Sequence, residues 1–266
     1  MTGRPRILVL GGSGLVGSAV VAEAARRGFD VVCASRTSDH FIDLADLSSI
    51  DAALSTIDAD IVVNAAYVKT GPQADMVTAV APGLVARRCA DAGVRFVHVS
   101  TDVVFSSSPN WRHESDPTDP VGAYGELKLR AEHAVLEADG GAAVVRTSLV
   151  IGSSQRPGEQ EALVRHAVAN PGDVVFYRDE LRAPVTATDL ARALVDVASS
   201  GVAGVWHVAG PQALSRLQIA KRVAARLGVE APLVGGTTPP GADRAKQVLI
   251  SSLRFERAFG WSPDVI

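Results

Sequence analysis

The sequence is short of three features: cysteines, long apolar runs and clusters of basic residues. Cys33 and Cys89 are its only cysteines among 266 residues, too few for a disulfide framework, and no Cys/His spacing suggests a metal site. No apolar stretch approaches the roughly 20 residues that span a bilayer, which argues against a membrane partner. The formal net charge is −3 and no basic run is present, which argues against nucleic acid. The first predicted strand begins at Arg6, leaving no room for a signal peptide, so we expect a cytoplasmic protein.

What the chain does have is a regular alternation of short apolar runs and amphipathic segments. Apolar residues make up 47% and charged residues 21% of the chain, as in globular proteins. The alternation predicts an α/β fold, a Rossmann-type doubly wound parallel sheet. The predicted strands are Arg6–Leu10, Val31–Ala34, Ile61–Val63, Arg95–Val99 and Ala143–Arg146, and the predicted helices are Leu15–Arg27, Leu47–Ile57, Ala74–Ala92 and Ala123–Ala138.

The pattern changes after residue 150, where a loop rich in Ser, Pro and Gly follows. We therefore expect a dinucleotide-binding domain over residues 1–150. A smaller mixed part over 151–266 would form the substrate cleft, with some of its elements returning to the first domain. In this second part the pattern predicts helices at Glu161–Ala169, Thr188–Ala198, Leu214–Leu227 and Leu253–Phe259, strands near Val174–Tyr177 and at Val205–Val208, and a loop at Gly235–Gly241.

A glycine-rich turn lies between the first strand and the first helix. Gly11 suits the tight turn, Gly14 lets the backbone approach a pyrophosphate, and Gly17 lets the helix pack closely on the strand. The free N–H groups at the start of that helix would then face the phosphates. The strand, turn and helix together predict a dinucleotide site. Its predicted residues in the turn are Gly11, Ser13, Gly14, Leu15, Val16 and Gly17.

The end of the second strand bears on which cofactor binds. NAD-binding folds place a carboxylate there, but this chain has Ser35 and Arg36. Arg36 would pair with a 2′-phosphate, so the sequence favours NADP(H) and leaves NAD(H) open. The other predicted cofactor residues are Asp43 and Leu44 near the adenine and Asn64, Ala65 and Ala66 after the third strand, with Tyr124 and Lys128 also touching the cofactor.

Three further residues suggest proton transfer. Thr101 follows the fourth strand, and Tyr124 and Lys128 lie four residues apart on the next helix, so both share one face. An ordinary tyrosine has a pKa of about 10, and a nearby ammonium lowers that pKa toward the working range. The three residues predict reduction of a ketone, with Tyr124 as proton donor.

In this order, the glycine turn, the strand-end threonine and Tyr-x-x-x-Lys resemble the extended short-chain dehydrogenase/reductases, and within them the dTDP-4-dehydrorhamnose reductase family. The similar stretches are Asn64-Ala65-Ala66, Ser100 to Phe105, Tyr124 to Lys128, Val145 to Ser148, Arg182 to Pro184, Asp189 to Ala191 and Leu253 to Pro263. The resemblance implies NAD(P)H-dependent reduction of a keto group on a nucleotide-linked sugar, with Thr101, Tyr124 and Lys128 as the catalytic residues. It also implies that Arg146 to Ser148 line the nicotinamide side of the cleft.

The substrate side departs from the family pattern. Val103 stands where the family usually has an aromatic residue, and Leu149 where it often has tryptophan. With Arg146, Ser148 and Arg182, a candidate phosphate ligand, these form the predicted substrate site. The family also tends to have asparagine where Thr78 stands.

Two other functions stay open. One is a cofactor-binding regulatory subunit similar to the beta subunit of methionine adenosyltransferase, and the other is a nucleotide-sugar epimerase or dehydratase. The oligomeric state is open as well, a homodimer included. His98 lies within the fourth strand and fits a core histidine better than a catalyst, while His113 and Glu114 fit a surface loop.

Overall fold

The computed structural model describes residues 4–153, 156–230, 232–242 and 244–266. Strands and helices alternate along most of the chain. The strands are β1 (Arg6–Leu10), β2 (Asp30–Ser35), β3 (His40–Phe41), β4 (Ile61–Asn64), β5 (Arg95–Thr101), β6 (Ala143–Thr147), β7 (Val150–Ile151), β8 (Val175–Tyr177), β9 (Leu181–Arg182), β10 (Val185–Thr186), β11 (Gly204–Val208), β12 (Leu214–Ser215) and β13 (Val234–Gly236). The α-helices are α1 (Leu15–Arg26), α2 (Leu47–Thr56), α3 (Ala81–Ala92), α4 (Ala123–Ala138), α5 (Glu159–Ala169), α6 (Ala187–Ser200), α7 (Arg216–Leu227) and α8 (Leu253–Phe259).

A seven-stranded sheet forms the centre of the fold, in the order β11-β6-β5-β4-β1-β2-β3. β1 pairs in parallel with β2 on one side and with β4 on the other, in a register that places Leu8 opposite Val32 and Val62. The chain thus winds outward from β1 in one direction and then reverses at β4. Such a reversal is where open α/β sheets bind ligands, beyond the carboxyl ends of the strands. The α/β Rossmann-type prediction is confirmed.

The first five predicted strands and three of the first four predicted helices are present to within two residues. The single helix predicted at Ala74–Ala92 is wrong, because a π-helical segment, Asp75–Val80, precedes α3. Pro82 lies in the first turn of α3 and has no N–H to donate to the carbonyl four residues earlier. At the junction the N–H of Ala81 bonds instead to the carbonyl of Met76, five residues back.

In the second part, all four predicted helices are present to within two residues. The loop predicted at Gly235–Gly241 is wrong at its start, because β13 pairs in parallel with β8. A Cβ at Gly236 would lie 2.6 Å from Val175 Cγ1, so the missing side chain permits this pairing. The predicted helix Leu214–Leu227 begins two residues later, since Ser215 forms its N-terminal cap with Gln218. Part of the predicted loop after residue 150, residues 154 and 155, lies outside the described residues.

The chain divides into two compact units. The first comprises the chain up to Thr101 with Ala123–Arg146 and Ala191–Trp206, and the second comprises Asp102–Gly122, Thr147–Leu190 and His207–Ile266. Each has its own apolar core. The boundary expected at residue 150 stays a prediction. Within the described ranges, no helix has both the length and the apolar character needed to cross a membrane.

Candidate active site

The glycine turn brings backbone into positions that side chains would block. Gly11 has φ +75°, and a Cβ there would lie 2.8 Å from the backbone of Ala66. A Cβ at Gly17 would lie 2.2 Å from the carbonyl oxygen of Gly11, so only glycine permits this approach of α1 to the turn. Gly14 caps α1 without a side-chain hydrogen bond. The N–H groups of the first turn of α1 therefore form a cradle that suits a pyrophosphate.

A cavity of about 290 Å³ lies beside this turn. Nine predicted cofactor residues line it: Gly11, Ser13, Gly14, Ser35, Arg36, Asp43, Leu44, Ala65 and Ala66. Five residues that the sequence did not single out also line it: Thr37, Ile42, Tyr67, Val68 and Val77. The other predicted cofactor residues, Leu15, Val16, Gly17, Asn64, Tyr124 and Lys128, are not among its lining residues.

Adjacency in the chain to predicted cofactor residues could have revealed some of the missed lining residues. Tyr67 and Val68 directly follow Ala66, and Thr37 directly follows Arg36. Val77 gave no such signal, because it reaches the cavity from the π-helical segment. Thr78 of that segment accepts a hydrogen bond from Val68 N and donates one to Val68 O. The threonine thus fixes the loop after β4, at the position where the family tends to have asparagine.

The residues that line the cavity include a cation, Arg36, and two hydroxyls, those of Ser35 and Thr37. Arg36 is exposed, with Nη1 3.4 Å from Gln73 Oε1. Ser35 Oγ accepts from Thr37 N, and the two hydroxyl oxygens lie 3.4 Å apart. Asp43 faces the same cavity, but one of its carboxylate oxygens accepts from Ala45 N. A phosphate suits this set of donors better than a bare ribose hydroxyl would.

The three predicted catalytic residues all belong to the first unit. Thr101 ends β5, and Tyr124 and Lys128 lie on one face of α4. The half-buried ring of Tyr124 lies 5.7 Å from the ring of Tyr67, and Lys69 Nζ lies 5.7 Å from the centre of the Tyr124 ring. The Tyr124 ring therefore lies between a second aromatic ring and a lysine cation.

Lys128 is nearly inaccessible to solvent. Its Nζ donates to Val99 O at 2.6 Å and lies 3.0 Å from His98 Nε2. Burial lowers the pKa of Lys128 to about 7, against the opposing field of Glu132. A lysine with this pKa exchanges protons readily near neutrality, unlike an exposed lysine.

A buried ion pair lies on the same side of α4. Arg146 donates to Glu132 from Nη2 at 2.7 Å and from Nε at 3.0 Å, and Ser100 Oγ donates to Glu132 as well. Both charged side chains are at most 5% exposed. The predicted role of Arg146 toward substrate stays a prediction, while these contacts tie β5, β6 and α4 together.

The remaining predicted substrate residues belong to the second unit. Ser148 Oγ donates to Asp102 Oδ2 at 2.6 Å and accepts from Ala183 N. Val103 is half-buried in the single 3₁₀ turn Asp102–Val104, and Leu149 packs against the core of this unit.

Arg182 is buried, and its guanidinium bonds to backbone. Its Nη1 and Nη2 donate to the carbonyls of Leu181, Lys246 and Ala245. This arginine therefore holds the segment around residue 245, and its role as a phosphate ligand stays a prediction. In the same unit, Glu114 accepts from the backbone N–H of His207.

Comparison with known proteins places this geometry in a family. Residues 5–264 match the RmlD substrate binding domain. The chain belongs to this family. It is accordingly a member of the extended short-chain dehydrogenase/reductases and an oxidoreductase, as the sequence predicted. Its fold is that of the crystal structure of a dTDP-4-dehydrorhamnose reductase from Bacillus anthracis str. Ames in complex with NADP, with a TM-score of 0.86, 20% identity, and coverage of 99% of this chain and 95% of that one.

The relatives of this RmlD-family chain include a reductase and a subunit of another enzyme. A dTDP-4-dehydrorhamnose reductase from Mycobacterium tuberculosis (strain ATCC 25618 / H37Rv) is 33% identical over 276 residues, covering 97% of this chain and 89% of the relative. The methionine adenosyltransferase 2 subunit beta of Xenopus tropicalis is 25% identical over 233 residues, covering 80% of this chain and 70% of the relative. The reductase is the more similar of these two relatives, both in identity and in the share of each chain that is covered.

Proposed function

We propose that this chain is an NADPH-preferring reductase of a keto group on a nucleotide-linked sugar. The observation that supports this most directly is the arrangement around α4, where Tyr124 and a buried Lys128 share one face and Thr101 ends the adjacent strand β5. A binding subunit has no need of a lysine whose pKa is lowered to about 7. The names and complexes of the reductase relatives support the same substrate class and cofactor.

The glycine turn suits a dinucleotide, because a Cβ at Gly17 would lie 2.2 Å from the carbonyl oxygen of Gly11 and would push α1 away from the turn. The first turn of α1 would hold the pyrophosphate, and Ser35 and Arg36 would hold the adenosine end. When bound, the nicotinamide supplies the hydride that reduces the substrate carbonyl.

Two hydroxyl groups of this chain protonate and orient the carbonyl oxygen of the substrate. The Tyr124 hydroxyl donates its proton to that oxygen, and the Thr101 hydroxyl holds the oxygen by a second hydrogen bond. Lys128 returns a proton to the Tyr124 phenolate, and its lowered pKa suits that transfer. Val103 stands where the family usually has an aromatic residue and Leu149 where it often has tryptophan, so this chain lacks both aromatic rings.

Turnover on a defined substrate tests this proposal. The purified chain should oxidise NADPH with dTDP-4-dehydrorhamnose or another dTDP-4-keto sugar, measured as loss of absorbance at the nicotinamide band. Tight binding of NADPH without turnover across a panel of keto sugars would instead favour a regulatory subunit. NAD that stays bound through purification would favour an epimerase or a dehydratase.

Replacing Arg36 by alanine should weaken the binding of NADPH more than the binding of NADH. Hydrogen bonds to charged groups contribute about 1.5–3 kcal/mol, so we expect KM for NADPH to rise roughly 10- to 100-fold. NADH lacks the 2′-phosphate, so its KM should change less than twofold. The matched control is Arg26→Ala, which removes an exposed arginine paired with Glu23 on α1. An equal loss for both cofactors would contradict a 2′-phosphate contact.

A further inference from the structure

Three buried side chains form a line of contacts that ends at Lys128. Asn64 ends β4, His98 lies in the middle of β5, and Lys128 lies on α4; each is at most 2% exposed. Asn64 Nδ2 lies 3.3 Å from His98 Nδ1, and His98 Nε2 lies 3.0 Å from Lys128 Nζ. Neither Asn64 nor His98 has a role in the function proposed above beyond the cofactor contact predicted for Asn64.

The backbone fixes the direction of these hydrogen bonds. Ala66 N donates to Asn64 Oδ1 at 3.0 Å, so the oxygen of the amide faces the backbone and its NH₂ group faces His98. An NH₂ group can only donate, so His98 Nδ1 must accept. Burial and the neighbouring Lys128 hold the pKa of His98 well below its usual value, so the ring is neutral. Its single proton therefore lies on Nε2, the nitrogen that faces Lys128.

This arrangement affects the protonation state of Lys128. An Nε2–H group can bond to Lys128 Nζ only if that nitrogen has a lone pair, as a neutral amine has. A charged ammonium would force the His98 proton onto Nδ1, against the NH₂ group of Asn64. The contact with Val99 O is available to either form, since both have an N–H to donate.

The charged groups around Lys128 do not reverse this preference. Glu132, on the same helix, favours the ammonium, but it is already bonded to Arg146 and Ser100. The π-helical segment contributes Asp75, which pairs with Arg130, and α3 contributes Arg88, which pairs with Asp51. Both pairs are about half exposed, so solvent screens them.

We propose that Asn64 and His98 are positioning residues that favour the neutral amine of Lys128. This rests on the proposed function, in which Lys128 returns a proton to Tyr124. In each cycle the Tyr124 O–H bond breaks as its proton bonds to the substrate oxygen. The phenolate then takes a proton from the Lys128 ammonium. The resulting amine accepts a hydrogen bond from the Nε2–H group of His98. It becomes an ammonium again when it takes a proton from water, which leaves hydroxide in the solvent.

The test reads Lys128 and His98 directly and needs neither cofactor nor turnover. The chain has only four lysines, Lys69, Lys128, Lys221 and Lys246, so ¹³Cε-lysine NMR resolves each one, with Lys128→Met for assignment. ¹⁵N-histidine NMR on the same chain reports which His98 nitrogen carries the proton. We expect the Nε2–H form above pH 8, and a change to Nδ1–H as Lys128 becomes charged. A ring that keeps its proton on Nδ1 at high pH would overturn the proposal.

A double-mutant cycle tests the link from Asn64 through His98. Asn64→Asp keeps an acceptor for Ala66 N and gives His98 Nδ1 an acceptor instead of a donor. It should therefore raise the Lys128 pKa by at least one unit. In a His98→Phe background the same change should raise that pKa far less, because only the charge of the introduced carboxylate would remain.

An equal shift in both backgrounds would overturn the link. Val97→Ala, a core change next to His98 on β5, is the control for lost packing and should leave the Lys128 pKa unchanged. If the chain proves inactive on keto sugars while these shifts are observed, the proposed function fails and the link between Asn64, His98 and Lys128 stands.

Discussion

Tyr124→Phe should lower kcat for keto-sugar reduction by about 10²- to 10⁴-fold, the usual contribution of a positioned proton donor. The substitution removes only the hydroxyl. The ring that packs 5.7 Å from Tyr67 is retained, so the affinity for NADPH should stay within about twofold of the parent. The measurements are steady-state turnover and NADPH binding by fluorescence. A loss in kcat with intact cofactor binding is the expected result.

The chain offers a matched control for this substitution. Tyr177 is one of only three tyrosines and lies on β8 beneath the guanidinium of Arg244, in the second unit. Tyr177→Phe removes the same hydroxyl from a different place and should leave kcat within twofold of the parent. Turnover by Tyr124→Phe at the parent rate would assign the proton donor elsewhere.

The parts of this fold that repeat a local pattern could be read from the sequence. β1, β5 and α4 follow from apolar runs and helical spacing, and the glycine turn follows from Gly11, Gly14 and Gly17. The π-helical segment Asp75–Val80 could not be read in this way. Its hydrogen bonds depend on a proline that follows it and on packing against α4, whereas its composition suits an ordinary helix.

The same distinction applies to the candidate site, where only the contacts that follow a local pattern could be predicted from the sequence. Tyr124 and Lys128 could be predicted because their spacing places them on one helix face. The partnership of Lys128 with His98 could not, because it joins residues 30 apart whose contact depends on how α4 packs on the sheet. The prediction that His98 is a core residue is confirmed, since it is fully buried, and its two ring nitrogens face Asn64 and Lys128. A buried polar residue inside an apolar strand is the signal that marks such a contact.

The second large effect concerns stability and comes from Glu132. Glu132→Ala should lower the free energy of unfolding by about 3–5 kcal/mol, because it leaves the buried guanidinium of Arg146 without its carboxylate partner. Ser100 Oγ loses its acceptor in the same change. The measurement is urea unfolding monitored by circular dichroism. The urea concentration at the midpoint of unfolding should fall clearly below that of the parent.

Two variants separate the buried charge from other causes. Asp51→Ala breaks the exposed Arg88–Asp51 pair of the same unit, where both side chains are at least half exposed, and should move the midpoint far less. The double variant Glu132→Leu with Arg146→Met removes both charges at similar volume and should recover much of the loss, because no uncompensated charge stays buried. Equal midpoints for Glu132→Ala and Asp51→Ala would mean that the Arg146 guanidinium reaches solvent or another acceptor once Glu132 is gone. Recovery in the double variant would instead assign the loss to the buried charge of Arg146 that Glu132→Ala leaves without a partner.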